Sequence, residues 1–149
     1  MPKPVPHQNP YGERISLDLA KKMAEAGEAF AEKMGWNATI AICDDGGHPV
    51  LLHRMNNGQF GSTDLAHPKA RASAAFRRPT KIFHEDLTAG KFETFWHLRQ
   101  EAGIPLEGGY PIIVDGKVIG GIGVSGVGAA GLPDGDSQVA LAALKVLEG

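Results

Sequence analysis

The chain has 149 residues, enough for one domain that buries roughly 70% of the surface its unfolded form exposes. With 42% hydrophobic and 21% charged residues it reads as globular, and a formal net charge of -2 supplies no positive field for nucleic acid or an anionic membrane. One cysteine, Cys43, excludes an intramolecular disulfide, and no apolar run approaches the roughly 20 residues of a membrane helix; a cytoplasmic protein, with neither nucleic acid nor membrane as partner, is the expectation.

Residues 1–12 are proline-rich and predict an extended arm, loose or laid over a neighbouring subunit, ahead of one domain over 13–149. Ser16 is placed to cap a helix, with Ile15 as its staple, and Leu17, Ala20, Met23, Ala24, Ala26, Phe30, Ala31 and Met34 recur at helical spacing until Gly35. The period then becomes that of strands: Asn37 to Cys43, a turn at Asp44-Asp45-Gly46-Gly47, and an antiparallel return from His48 to Met55. A second helix is expected from Thr63 to Phe76, with Pro68 in its first turn, where a missing N–H costs least. Its small residues Ala66, Ala70, Ser73 and Ala74 suit close packing on a sheet. Shorter helical pieces follow around Lys81 to Leu87 and Phe92 to Arg99, divided by Gly90. A second hairpin runs Pro111 to Val114, Asp115-Gly116, Lys117 to Ser125, and a last helix spans about Asp136 to Leu147. Two hairpins flanked by helices predict an α+β domain with an antiparallel sheet of four to five strands.

The stretch Gly121-Ile122-Gly123-Val124-Ser125-Gly126 matches the glycine spacing of dinucleotide-binding folds. That fingerprint works by joining a parallel strand directly to a helix N-terminus, which holds the pyrophosphate. Here the glycines lie in a hairpin return strand, and the next helix starts about ten residues later, so they are read as positions of close approach by a helix or a ligand. Ser125 lacks the flanking glycines of a nucleophile elbow and is read as a hydrogen-bonding group.

Several segments together resemble the GlcG/HbpS-like family, which includes the C-terminal domain of PduO-type proteins. They are Ala41 to Gly47, His53-Arg54-Met55-Asn56, Lys69 to Ala74, Gly108-Gly109-Tyr110-Pro111-Ile112, Asp115 to Gly120 and Gly121 to Gly126. The resemblance implies a somewhat profilin-like or PAS-like α+β domain, assembly into a homo-oligomer, and haem or another tetrapyrrole as a ligand. The chain departs from that pattern at Asn56-Asn57, at Gly135-Asp136-Ser137, and by His67-Pro68 just before Lys69.

None of the six histidines forms a His-x-x-x-His pair, which argues against a zinc site. His67, at a helix start, reads as a solvated end residue, as an axial haem ligand given the resemblance, or as a general acid/base. Arg54 and Arg71 could each bind a carboxylate, Arg71 one turn beyond His67, or serve as surface charges. Lys69, at the family's lysine position, reads as a ligand contact or a carboxylate's partner. Glu107 and Tyr110 bracket the diglycine loop as base and hydrogen-bond donor, or as loop anchors. Two functions remain open. The first is a small-molecule-binding protein using a pocket between the second helix and the Gly-Val-Ser-Gly strand end. The second is a cofactor-independent enzyme acting in that pocket on a small organic acid or enolisable substrate, with His67, Glu107 or Tyr110 as acid/base.

Overall fold

In the computed structural model, which describes residues 6–91, 103–127 and 132–149, Ser16 caps the first helix as expected. Its Oγ accepts the Leu19 N–H at 3.1 Å, α1 runs Leu17–Met34, and Gly35 ends it in the left-handed region at φ 76°. Ala20, Met23, Ala24, Gly27 and Ala31 form its buried stripe. Leu17 and Met34, expected in that stripe, stand at the two helix ends and are 50% and 46% exposed.

Strands β1 (Thr39–Asp44) and β2 (Pro49–Arg54) form the first hairpin, its turn closed by Asp44 Oδ1, which accepts the N–H groups of Gly46 and His48. A short 3-10 turn at Phe60–Ser62 leads into α2, Thr63–Phe76. Pro68 therefore lies in the second turn of α2 and not the first. The helix absorbs the hydrogen bond lost at the Asp64 carbonyl because its packing on the sheet outweighs local propensity. The next helix, α3, spans Thr80–Thr88; the helical piece expected at Phe92 to Arg99 falls outside the described residues. Strands β3 (Gly109–Val114) and β4 (Lys117–Ser125) meet at Asp115 and Gly116, both at positive φ, as a two-residue hairpin turn requires. Helix α4, Gly135–Leu144, tightens into a 3-10 turn over Lys145–Glu148.

The four strands make one antiparallel sheet in the order β2-β1-β4-β3. Alternation along the strands gives its faces different characters. Ile40, Ile42, Ile112, Ile122 and Val124 point to one side, where they form the main core with Met23, Ala24, Val139 and Ala143 of α1 and α4. The other side is nearly bare: Ala41 and Cys43 of β1 pair with Gly123 and Gly121 of β4, and Gly109 of β3 lies beside Gly123. Helix α2 lies on this floor. A Cβ at Gly123 would overlap the Ala66 carbonyl, and one at Gly121 the Ala70 carbonyl, so the motif that imitates a nucleotide fingerprint is a seat for a helix backbone. Cys43 is fully buried beside Ala70 and Ala74, and burial pushes its thiol pKa up to about 12, as suits a small core hydrophobe.

The arm, where described, lies on its own chain. Val118 donates its N–H to Pro10 and accepts from Gly12, both at 2.9 Å, so Tyr11 bridges parallel to β4 where β1 has ended. The Tyr11 hydroxyl then donates to the Ala74 carbonyl at 2.6 Å, and the Arg77 guanidinium stacks on its ring. The extended conformation is explained by this strand pairing.

Candidate functional site

Beyond the C-terminal end of β4, α2, α3, the 106–107 loop and the start of α4 line an open-mouthed cavity of about 640 Å³. Leu65, Leu106, Pro133 and Ala89 give it apolar walls, with Lys69, His84, Glu107, Ser125 and Asp136 as polar groups. A mostly apolar concavity of that size with a few placed polar groups is the usual form of a small-molecule site.

Lys69 is 3% exposed, and a charge so placed needs partners. Its Nζ donates to the Val124 carbonyl at 2.9 Å and to Asp136 Oδ2 at 3.1 Å, while Asp136 Oδ1 accepts the Val127 N–H at 2.9 Å. One buried ion pair thus ties α2, the end of β4 and the first turn of α4 together. Ser125, 2% exposed, lies beside it, and its hydroxyl makes no hydrogen bond among the described residues. The Ser137 hydroxyl donates to Glu107 Oε2, and the Glu107 carboxylate has no cationic partner among the described residues. The Glu107 N–H donates to His84 Nδ1 at 3.2 Å. At the rim Lys81 bridges Asp134 at 3.2 Å and Glu85 at 3.9 Å; the Asp134 hydrogen bond, above all, raises its pKa.

The sequence candidates divide among separate places. Lys69, Glu107 and Ser125 come together in this cavity. His67 and Arg71 do not. At 100° per residue His67 and Lys69 stand about 200° apart around α2, so they face opposite flanks. His67 turns to the first hairpin, where its Nε2 meets the Gly47 carbonyl at 2.9 Å, and Arg71 packs beside the same glycine. Arg54 lines a different, more open cleft of about 730 Å³ with Glu28, Glu32, Trp36 and His53, in which His53 Nδ1 lies 2.6 Å from Glu28 Oε1. Tyr110 packs against the core on the α1/α4 face and lines neither hollow. His84, Lys81 and Leu65 were not singled out from the sequence. Nothing local in the sequence marks His84, or Asp136 as the partner of Lys69.

No group of three or more metal-ligating side chains occurs among the described residues, and none of their helices is long and apolar enough to cross a membrane. The apolar walls of the cavity suit an apolar small molecule. An axially ligated haem fits less well: His84 is the one histidine lining the cavity among the described residues, and its Nδ1 faces a backbone donor, the reverse of the usual arrangement in which the non-ligating nitrogen donates.

Fold and site together define a one-domain α+β protein, with a helix seated on a glycine-floored antiparallel sheet and a cavity at the sheet's end. The family model described as "Haem degrading protein HbpS-like" matches residues 15–145, and the chain belongs to this HbpS-like family. Protein GlcG of Escherichia coli is 39% identical over 113 residues, covering 74% of this chain and 81% of that one. Among solved structures, Klebsiella pneumoniae protein ORFY superposes with a TM-score of 0.84 at 26% identity, covering 98% of this chain and 99% of that chain. The PduOC:haem complex does so with a TM-score of 0.77 at 26% identity, covering 88% and 93%.

Proposed function

We propose that this protein binds a planar small molecule of the tetrapyrrole class in the cavity between α2, α3 and the end of β4. The observation that carries the reading is the cavity itself: about 640 Å³, with apolar walls, the buried Lys69–Asp136 pair, and a Ser125 hydroxyl that makes no hydrogen bond among the described residues. The haem complex of PduOC, a protein of the same fold, supports the ligand class. Binding would come from burial of the ring between Leu65 and Leu106, with Lys69 and Ser125 meeting its polar edge. His67 lies outside the cavity, so the axial role suggested by its sequence position has no part in this reading.

The proposal extends to self-association in a cytoplasmic setting. Strand β2 is an edge of the sheet and exposes Leu52, a surface suited to a second copy. Native mass spectrometry during haemin titration tests ligand and subunit count together. One haemin per chain is expected, with affinity lowered at least tenfold by Leu106→Arg and unchanged by Arg54→Ala. A haemin site lost in Arg54→Ala and kept in Leu106→Arg would refute the choice of cavity, and no retained haemin would refute the ligand class.

A second reading uses the same cavity. The Glu107 carboxylate, held by Ser137 and without a cationic partner among the described residues, is placed to take a proton from an enolisable small acid. In that case Lys69 and Ser125 would orient the substrate.

A further inference from the structure

We propose that His84 is locked as the Nε2–H tautomer and acts on the bound molecule as a hydrogen-bond donor to an sp2 oxygen, not as an iron ligand. The inference rests on the cavity being the binding site. A backbone N–H can only donate, so the 3.2 Å contact from Glu107 N requires a lone pair on His84 Nδ1. In the neutral ring the proton then sits on Nε2. Protonating both nitrogens, or moving the proton to Nδ1, would set N–H against N–H.

The Glu107 amide cannot easily turn away. Gly108, next in the chain, has φ +116°, accepts the Val124 N–H at 3.0 Å, and leaves no room for a side chain against Asp136. Gly109 is pinned in turn by its N–H bond to Thr80 Oγ1 at 2.9 Å, at the first residue of the helix that carries His84. The loop and α3 are therefore coupled at two points, and Nδ1 is used up between them. Nε2 makes no hydrogen bond among the described residues, and the His84 ring lines the cavity.

The other polar groups support an oxygen acceptor. Ser125 offers a second donor, a hydroxyl that makes no hydrogen bond among the described residues, and two of the three Lys69 donors are already used on Val124 and Asp136, which also balances its charge. The matching ligand edge carries a carbonyl or carboxylate oxygen.

The tautomer can be read without any ligand, from a long-range nitrogen–proton spectrum of uniformly labelled protein with His84 assigned by His84→Gln. A proton on Nε2 is expected; a proton on Nδ1 overturns the proposal whatever the protein binds. Titration with haemin, iron-free protoporphyrin IX and its dimethyl ester then tests the role. His84→Ala should weaken haemin and protoporphyrin alike by about tenfold, the worth of one neutral hydrogen bond. His84→Gln, whose amide reaches the Nε2 position, should restore most of it. Equal weakening for the dimethyl ester assigns the oxygen to a carbonyl, and weakening confined to the free acids assigns it to a carboxylate. A loss confined to haemin, with a Soret band that changes in His84→Ala, would mean iron ligation and sink the proposal.

Discussion

Asp136 holds two partners with two oxygens, and an amide in its place can satisfy only one of them. Asp136→Asn would keep its carbonyl oxygen for the Val127 N–H and turn an NH2 group toward the Lys69 ammonium, leaving a charge 3% exposed and unpaired. A loss of about 3 kcal/mol in urea denaturation is expected; under about 1 kcal/mol would mean that water reaches Lys69 freely. Lys69 is legible in the sequence as a candidate, and it does line the cavity. Its partner is not, because the two stand 67 positions apart and pair through the topology of the sheet. His67 lies away from that cavity for a simpler reason: two residues from Lys69 on a helix, it faces the opposite flank and meets the Gly47 carbonyl. His84 was invisible, since what gives it a role is a backbone N–H, which every residue but proline carries.

At the level of elements, the fold's least familiar feature is the pairing of a small-residue helix with a glycine floor. Ordinary sheets reject a helix backbone at such a distance because side chains of both elements intervene. Here Gly121 and Gly123 remove them on one side, and Ala66 and Ala70 on the other. Gly123→Ala is therefore expected to cost about 3 kcal/mol or more, since the added methyl would meet the Ala66 carbonyl and the Ala70 nitrogen, neither of which can move without shifting α2. Gly61→Ala, in open space and at an ordinary φ, should stay within about 0.5 kcal/mol. Chemical denaturation of the pair separates seating from backbone freedom: equal losses would show that glycine's flexibility matters and its size does not. The element order and both hairpins were legible because turn chemistry and alternation are local. Pro68 was misjudged because tertiary packing, absent from any local pattern, sustains the turn around it.

Across the molecule, β4 is the strand on which everything depends, and its two ends serve different ends of the protein. Ser125 closes it at the cavity; Val118, near its start, is paired by the arm where β1 no longer reaches. Tyr11 fastens the same arm to the C-terminal end of α2, whose Leu65 and Lys69 at the opposite end form the cavity wall. Removing residues 1–12 exposes one strand edge and frees the Ala74 carbonyl, while none of the hydrogen bonds of the arm's described residues reaches Lys69 or His84. The shortened chain should melt roughly 3–10 °C lower, corresponding to about 1–3 kcal/mol for a domain of this size. Its affinity for protoporphyrin IX should be unchanged, because the Lys69–Asp136 pair fixes the cavity end of the sheet independently of the arm. Differential scanning calorimetry and the same porphyrin titration decide the matter. An unaltered melting temperature would show that the arm contributes nothing to the fold; lost affinity would show that both ends of β4 move as one body.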